Sequence, residues 1–349
     1  MKTSYKRDDV ILLLKDITGL VEPLPTKERE KLIQSGKHYS EMLPVEYVPT
    51  EKYMQVYEDV LNTYAHTMAA AVGKLSDKII EKRGKDVVIV SLARAGIPIG
   101  ILVKHYIKKK YKVDVMHYSI SIIRGRGIDK NAIKYLLDRY RPEQILFLDG
   151  WIGKGAILNQ LREAVKDYEG VSSEIAVVAD PANVTELCGT HEDILIPSSC
   201  LNSTISGLVS RTFLRDDIIG PDDFHGAVYY GELTASDLSY SFINAIEEQF
   251  GLDNDFEEKI IPGTGIEEVN DIATEYDIDD INLIKPGIGE TTRVLLRRVP
   301  WKVLIDERYK NDKELSHILR LAEEKNVPTE YRHMNHYKCV GIIKKVSDV

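Results

Sequence analysis

The sequence contains only three cysteines, Cys188, Cys200 and Cys339, and no CxxC pair. The odd count excludes a closed disulfide framework, and the missing spacing argues against a structural zinc site. A reducing, cytoplasmic setting follows as the expectation. No apolar run approaches the roughly 20 residues that span a bilayer; the longest, such as Asp86 to Ala95 and Ile145 to Leu148, are strand length. Asp16 interrupts the short apolar stretch behind Met1 to Asp9, so no signal-peptide core is expected, and no membrane partner. Internal repeats and low-complexity segments are also missing.

What is present fits a globular chain. Its 349 residues are 43% hydrophobic and 29% charged, enough for two or three domains with real cores. Charge is unevenly placed: residues 1–284 hold 32 Lys+Arg against 46 Asp+Glu, while residues 285–349 hold 14 against 9. An acidic body with a basic tail points to a polyanion partner for the tail alone. Ordinary solvated surface explains so modest an excess equally well.

Residues 1–83 read as mainly helical, with apolar positions at helical spacing in Val10 to Leu14 and from Tyr53 through Arg83. Strands and helices then alternate, with strands expected at 87–91, 113–122, 145–148, 175–179 and 193–196. This α/β pattern predicts a parallel sheet with crossover helices, and ligands beyond its carboxyl edge. A helix is expected over 236–250. The acidic stretch 256–280 reads as a linker between a body at 1–255 and a small α/β domain at 281–349, which is expected to fold alone.

Three loops carry the phosphate-handling signals. The first is Asp149-Gly150-Trp151-Ile152-Gly153-Lys154-Gly155-Ala156-Ile157, a strand end, a Gly-rich turn and a helix start. Backbone N–H groups and Lys154 would meet an anion there, while Asp149 would hold ribose hydroxyls or Mg²⁺. The second is Ser91-Leu92-Ala93-Arg94-Ala95-Gly96, suited to pyrophosphate. The third places Arg124 and Arg126 between glycines, as in a mobile lid. A plain strand-to-helix turn and surface salt bridges are the competing explanations. The hydroxyl-rich run 197–212 offers Asn202, Ser203, Thr204 and Arg211 for base or ribose recognition, with His38 and Tyr39 capping the same cleft. Cys200 in that run is a packing residue, a base or ribose contact, or a nucleophile using His191 or His38 as base.

Together these loops resemble the type I phosphoribosyltransferase family, in which the Asp149 loop would be the phosphoribosyl pyrophosphate (PRPP) motif. Asp149 and Gly155 match that motif; Gly150, Lys154 and Ile157 depart from it. The whole chain is similar to the StiP-like branch encoded near tellurium-resistance (Ter) stress operons, some of whose members are labelled cysteine proteases. The resemblance implies a Mg²⁺-assisted phosphoribosyltransferase acting on PRPP or a nucleotide in a stress response, with Asp149, Arg124 and Arg126 in the reaction. Two alternatives stand beside it: a non-catalytic, nucleotide-sensing RNA-binding regulator, and a cysteine hydrolase using Cys200. A homo-oligomer is compatible with either. Near the C terminus, Gly287, Glu290, Thr291, Thr292 and Arg293 resemble the Pelota-type RNA-binding motif G-x-N-E-T-T-K. That resemblance implies RNA contacts from Gly287, Glu290, Thr292, Arg293 and Arg297.

Overall fold

A computed structural model describes residues 1–251 and 261–344. The body is built on a six-stranded, all-parallel sheet. Its strands are β1 (Ile11–Leu12), β2 (Val88–Leu92), β3 (Met116–Ile120), β4 (Ile145–Trp151), β5 (Ile175–Ala179) and β6 (Cys188–Thr190), in the spatial order β1-β3-β2-β4-β5-β6. Two further short parallel or antiparallel pairings lie outside this sheet.

Both faces are covered, as the near-continuous apolar strands require. Side chains alternate faces along β2: Ile89 joins one core, Val88 and Val90 the other. On the first face lie α2 (Glu51–Arg83), α3 (Gly96–Tyr111) and α6 (Ser239–Glu247), behind the short α1 (Thr26–Gln34). They contribute Val72, Leu75, Ile101 and Phe242. On the second face, α4 (Lys130–Leu137) and α5 (Ala156–Val165) contribute Ile133, Leu136, Leu158 and Leu161. The edge strand β6 lies directly on α2. A Cβ at Gly189 would sit 2.2 Å from the Ala71 carbonyl oxygen, so only glycine allows that approach.

The C-terminal unit starts with α7 (Gly265–Glu275) and forms the mixed sheet β7 (Ile284–Pro286), β10 (Cys339–Ile343), β8 (Pro300–Asp306), β9 (Thr329–Arg332), in that spatial order. Helix α7 covers one face through Val269 and Ile272. Helices α8 (Ile288–Arg297) and α9 (Ser316–Glu324) cover the other, and their Ile288, Leu295, Ile318 and Leu321 belong to the same hydrophobic cluster as α2. Tyr53 Oη donates to Leu296 O at 2.8 Å, and Tyr64 Oη to Glu314 O at 3.3 Å.

The C-terminal unit closes one core of its own, around Val269, Ile284, Leu304 and Val340, and through α8 and α9 also joins the core of the body. Three expectations need correction. Part of the expected linker, Gly265–Glu275, is helix with a Thr264/Glu267 capping box; residues 252–260 of the neighbouring stretch lie outside the described residues. Ile11–Leu12 pairs with Tyr118–Ser119 as a strand, because an apolar run so short carries no decisive period. The last strand of the sheet is Cys188–Thr190, not 193–196; its central glycine disguised it as a turn.

Candidate functional site

At the carboxyl edge the register of the last two strands decides the chemistry. Val177 pairs with Cys188 and Ala179 with Thr190, so the residues that follow, Asp180 and His191, leave the sheet side by side. Asp180 N–H donates to Thr190 O at 2.8 Å. The turn after β6 folds His191 back over its own strand. Its Nε2 lies 3.4 Å and its Nδ1 3.7 Å from Cys188 Sγ. Nδ1 is also 3.1 Å from Asp180 O and 3.7 Å from Asp180 Oδ2. With the ring proton on Nδ1, facing Asp180, Nε2 is the basic nitrogen and faces the thiol.

Asp180 is fully buried. Its Oδ2 accepts Val184 N–H at 2.7 Å and Thr185 N–H at 2.8 Å, and its Oδ1 has no hydrogen-bond partner. Burial raises its pKa, opposed by those two N–H groups and by His191. Cys188 is likewise buried, while the His191 side chain keeps 15% exposure. A thiol, an imidazole and a carboxylate in this order form the arrangement of a nucleophile, its base and the base's orienting group.

The sequence alone does not single out this cluster: there His191 reads only as a base for Cys200, and Cys188 and Asp180 carry no role. The available signal was Cys-x-x-His at a strand end beside a second strand ending in Asp. Cys200 closes the 3₁₀ turn Pro197–Cys200, fully buried in the main core near Tyr57. His38, its other suggested base, is 2.8 Å from Ser40 Oγ and 3.1 Å from Arg124 O.

The residues expected to handle phosphate are brought together in part. Ser91 is inside the sheet, its Oγ 2.8 Å from His117 Nε2. Ala93 N–H donates to Ile120 O, and Ala95 precedes α3. Arg94 forms a buried ion pair with Glu46 at 3.2 Å and also reaches Val209 O. Ser203 Oγ donates to the same Glu46 at 3.1 Å. Gly96 lets α3 start against β4, where a Cβ would lie 2.9 Å from Leu148 O. Asp149, half-buried beside it, accepts Gly150 N–H at 2.8 Å. Burial pushes its carboxyl up to about 6, against the pull of that N–H and of Arg293.

Arg124 N–H donates to Tyr39 Oη at 3.0 Å, Arg126 pairs with Glu41, and Arg211 donates to Tyr39 O and Met42 O. The 38–42, 124–126 and 209–211 segments thus close on one another. Thr204 is buried with its hydroxyl unpaired, and Asn202 precedes the 203–205 turn. Among the described residues no three His, Cys, Asp or Glu side chains gather to hold a metal ion. Asp149 is the one carboxylate of the expected set, so the Mg²⁺ expected there would take its other ligands from water and substrate oxygens.

Two placements contradict the sequence reading. Lys154 does not face an open phosphate turn: its ammonium donates to Ile281 O and Ile284 O of the C-terminal unit, and Tyr337 Oη donates to Gly153 O at 2.6 Å. The turn Gly150 to Gly155, with Ala156 and Ile157 opening α5, is a docking surface for that unit. The start of α8 is occupied too. Gly287, at φ +89°, brings Ile288 N–H onto Asp193 Oδ1 at 3.0 Å, while Asp193 Oδ2 accepts Lys338 N–H. Thr292 is buried against Ile288 O and His317. Glu290 pairs with Arg293 at 3.1 Å. The Arg297 side chain lies outside the described residues.

Residues 3–247 match a family described as tellurite-like stress resistance cysteine protease StiP, and residues 263–345 match the Pelota RNA-binding domain. A protein of Acinetobacter baylyi named "Cysteine protease StiP" is 33% identical over 98% of this chain and 94% of its own length. Two solved phosphoribosyltransferases show slight likeness. A hypoxanthine-guanine enzyme from Bacillus anthracis is 14% identical over 35% of this chain and 71% of its own, with a TM-score of 0.25. A hypoxanthine-guanine-xanthine enzyme is 14% identical over 36% and 63%, at 0.23. Likeness at that level does not define a fold. The expectation of a phosphoribosyltransferase acting on PRPP is therefore corrected: the matching family and the relative covering nearly the whole chain are both named cysteine proteases. What holds is a mixed α/β protein with a parallel sheet, in which no described helix is long and apolar enough to cross a membrane.

Proposed function

The chain belongs to the StiP family of tellurite-like stress resistance cysteine proteases, and on that premise we propose that it cleaves peptide bonds with Cys188 as nucleophile. The observation that carries this reading is the 3.4 Å approach of Cys188 Sγ to His191 Nε2, with Asp180 behind the ring.

His191 takes the thiol proton, and the thiolate attacks the scissile carbonyl carbon. The imidazolium then returns that proton to the departing amine, leaving a thioester on Cys188. Water, deprotonated by His191, attacks the thioester; the acid leaves and the thiol is restored. Asp180 is a positioning residue, which holds the tautomer and favours the imidazolium.

Cys188 lies below the surface, so substrate reaches it only when the 181–193 segment shifts. That segment is held by the C-terminal unit: Gly265 N–H donates to Ala182 O, His336 Nδ1 lies 3.1 Å from Pro181 O, and Asp193 caps α8. The C-terminal unit, matched to an RNA-binding domain, supplies an RNA partner in this reading.

Hydrolysis of fluorescein-labelled casein by the Cys188→Ala and Cys200→Ala variants tests the assignment. Loss of cleavage in Cys188→Ala alone supports it. Loss in Cys200→Ala with full activity in Cys188→Ala moves the nucleophile to the other cysteine.

A further inference from the structure

The start of α8, where the motif would be expected to meet an RNA backbone, is filled by the Asp193 carboxylate. A phosphate would have to displace a buried anion to enter. Accessible positive charge on the C-terminal unit includes the flank of α8. There the Arg293 side chain is 39% exposed, Arg298 is exposed, and Lys285 is half-buried. This flank does not end at the domain boundary. The Arg293 guanidinium stands 5.8 Å from the centre of the Trp151 ring, a half-exposed aromatic of the body. Three residues on, Lys154 reaches Ile281 O and Ile284 O, next to Lys285. The exposed Arg124 belongs to the same neighbourhood, because Gly125 N–H donates to Gln160 Oε1 at 2.8 Å on α5, the helix that starts just after the Lys154 turn.

We propose that Arg124 and Trp151 of the body join Lys285, Arg293 and Arg298 in one surface that binds single-stranded RNA across the junction. This rests on the reading of the C-terminal unit as RNA-binding and extends it to residues outside that unit. One cation, Arg293, stands over the aromatic ring, and Arg124, Lys285 and Arg298 lie near it, a pattern that lets a base stack while neighbouring phosphates are neutralised. Among the described residues neither Arg124 nor Arg298 makes an ion pair, and the nearby acids are engaged: Glu290 by Arg293, Asp280 by Asn282. The crowding of like charge shows in the lysines. Burial, then the charge of Lys285 and Arg124, lowers Lys154 to about 8, and burial with Arg124, Arg298 and Arg293 lowers Lys285. A phosphate placed among them relieves that repulsion.

The full chain is titrated against a fluorescently labelled single-stranded RNA of about 15 nucleotides, a length matching a few nucleotides on either side of one stacking platform, with anisotropy read over a range of salt. Trp151→Ala should weaken binding at least about fivefold, and Trp151→Phe, which keeps a ring to stack on, should restore most of it. Arg124→Ala, at an exposed position, should flatten the salt slope by about 0.7, one single-stranded phosphate contact. Arg293→Ala separates the two readings. If it weakens binding while Trp151→Ala and Arg124→Ala bind as the parent does, RNA is held by the C-terminal unit alone and the composite surface is refuted. If the parent binds no RNA, the reading of that unit falls and the composite surface with it. Equal loss in Trp151→Ala and Trp151→Phe, with normal melting of both, also refutes the stacking role.

Discussion

Replacing His191 by alanine removes the base from the Cys188 thiol without touching the thiol itself. An ordinary cysteine, of pKa about 8.5, is only about 3% thiolate at pH 7. On the proposed reading, the imidazole nitrogen 3.4 Å away accepts the thiol proton. The thiolate fraction should therefore fall by up to about thirtyfold in His191→Ala at pH 7. The same ring also protonates the leaving amine, a step worth about 10²–10⁴. Together these set an expected loss in kcat/KM of at least about 10³, or about 4 kcal/mol of transition-state stabilisation. Two assays separate the contributions. Casein hydrolysis reads the whole loss. Alkylation of Cys188 by iodoacetamide, followed site by site in a mass spectrometer, reads the thiolate alone. The ratio of parent to variant alkylation rates should exceed one at pH 7 and shrink as pH rises and the variant's thiol ionises by itself. A ratio near one at pH 7 would refute the pairing, whatever the casein assay shows.

The seam between the two units gives a second expectation. A Cβ at Gly265 would lie 2.0 Å from Tyr337 Oη and 2.9 Å from Ala182 Cα, so Gly265→Ala should lower stability in urea by about 1–3 kcal/mol, with part of it recovered by adding Tyr337→Phe. Gly189→Ala should cost about 3 kcal/mol and abolish casein cleavage, because the new methyl meets the Ala71 carbonyl and pushes β6, with Cys188, off α2; a stable, active variant would contradict the packing. A fourth concerns pH. His105 is bonded to Asp9 at 2.7 Å and to Glu247; burial works against its charge, but those partners raise its pKa to about 9. A raised histidine pKa stabilises the fold fully below about 6.5 and loses that contribution as pH climbs through 9, here about 3 kcal/mol. Urea midpoints of the parent and His105→Gln should differ at pH 6 and converge by about pH 9.5; a constant gap would exclude the ion pair as the cause.

Much of the architecture was legible in the residues. The apolar strands at 87–91 and 145–148, each followed by a periodic apolar stretch, determined a parallel sheet covered on both faces, because only burial on both sides accommodates such runs. The helix read from Tyr53 through Arg83, which the structure extends to Glu51, followed from period alone. Glycine and polar residues at strand ends marked the carboxyl edge as the place where side chains converge.

What the sequence could not decide was which of them meet. Asp180 and His191 are eleven residues apart, and nothing local marks them as partners; the parallel register of β5 and β6 makes them so. The 150–155 turn and the start of α8 each carry free backbone donors and read alike as anion sites. In the folded chain they face the opposite unit, and Asp193, Tyr337 and the carbonyls of Ile281 and Ile284 occupy them. A buried donor takes whatever acceptor packing brings to it, and packing between segments more than a hundred residues apart is set by the shape and burial of the whole core, which no local pattern of residues encodes.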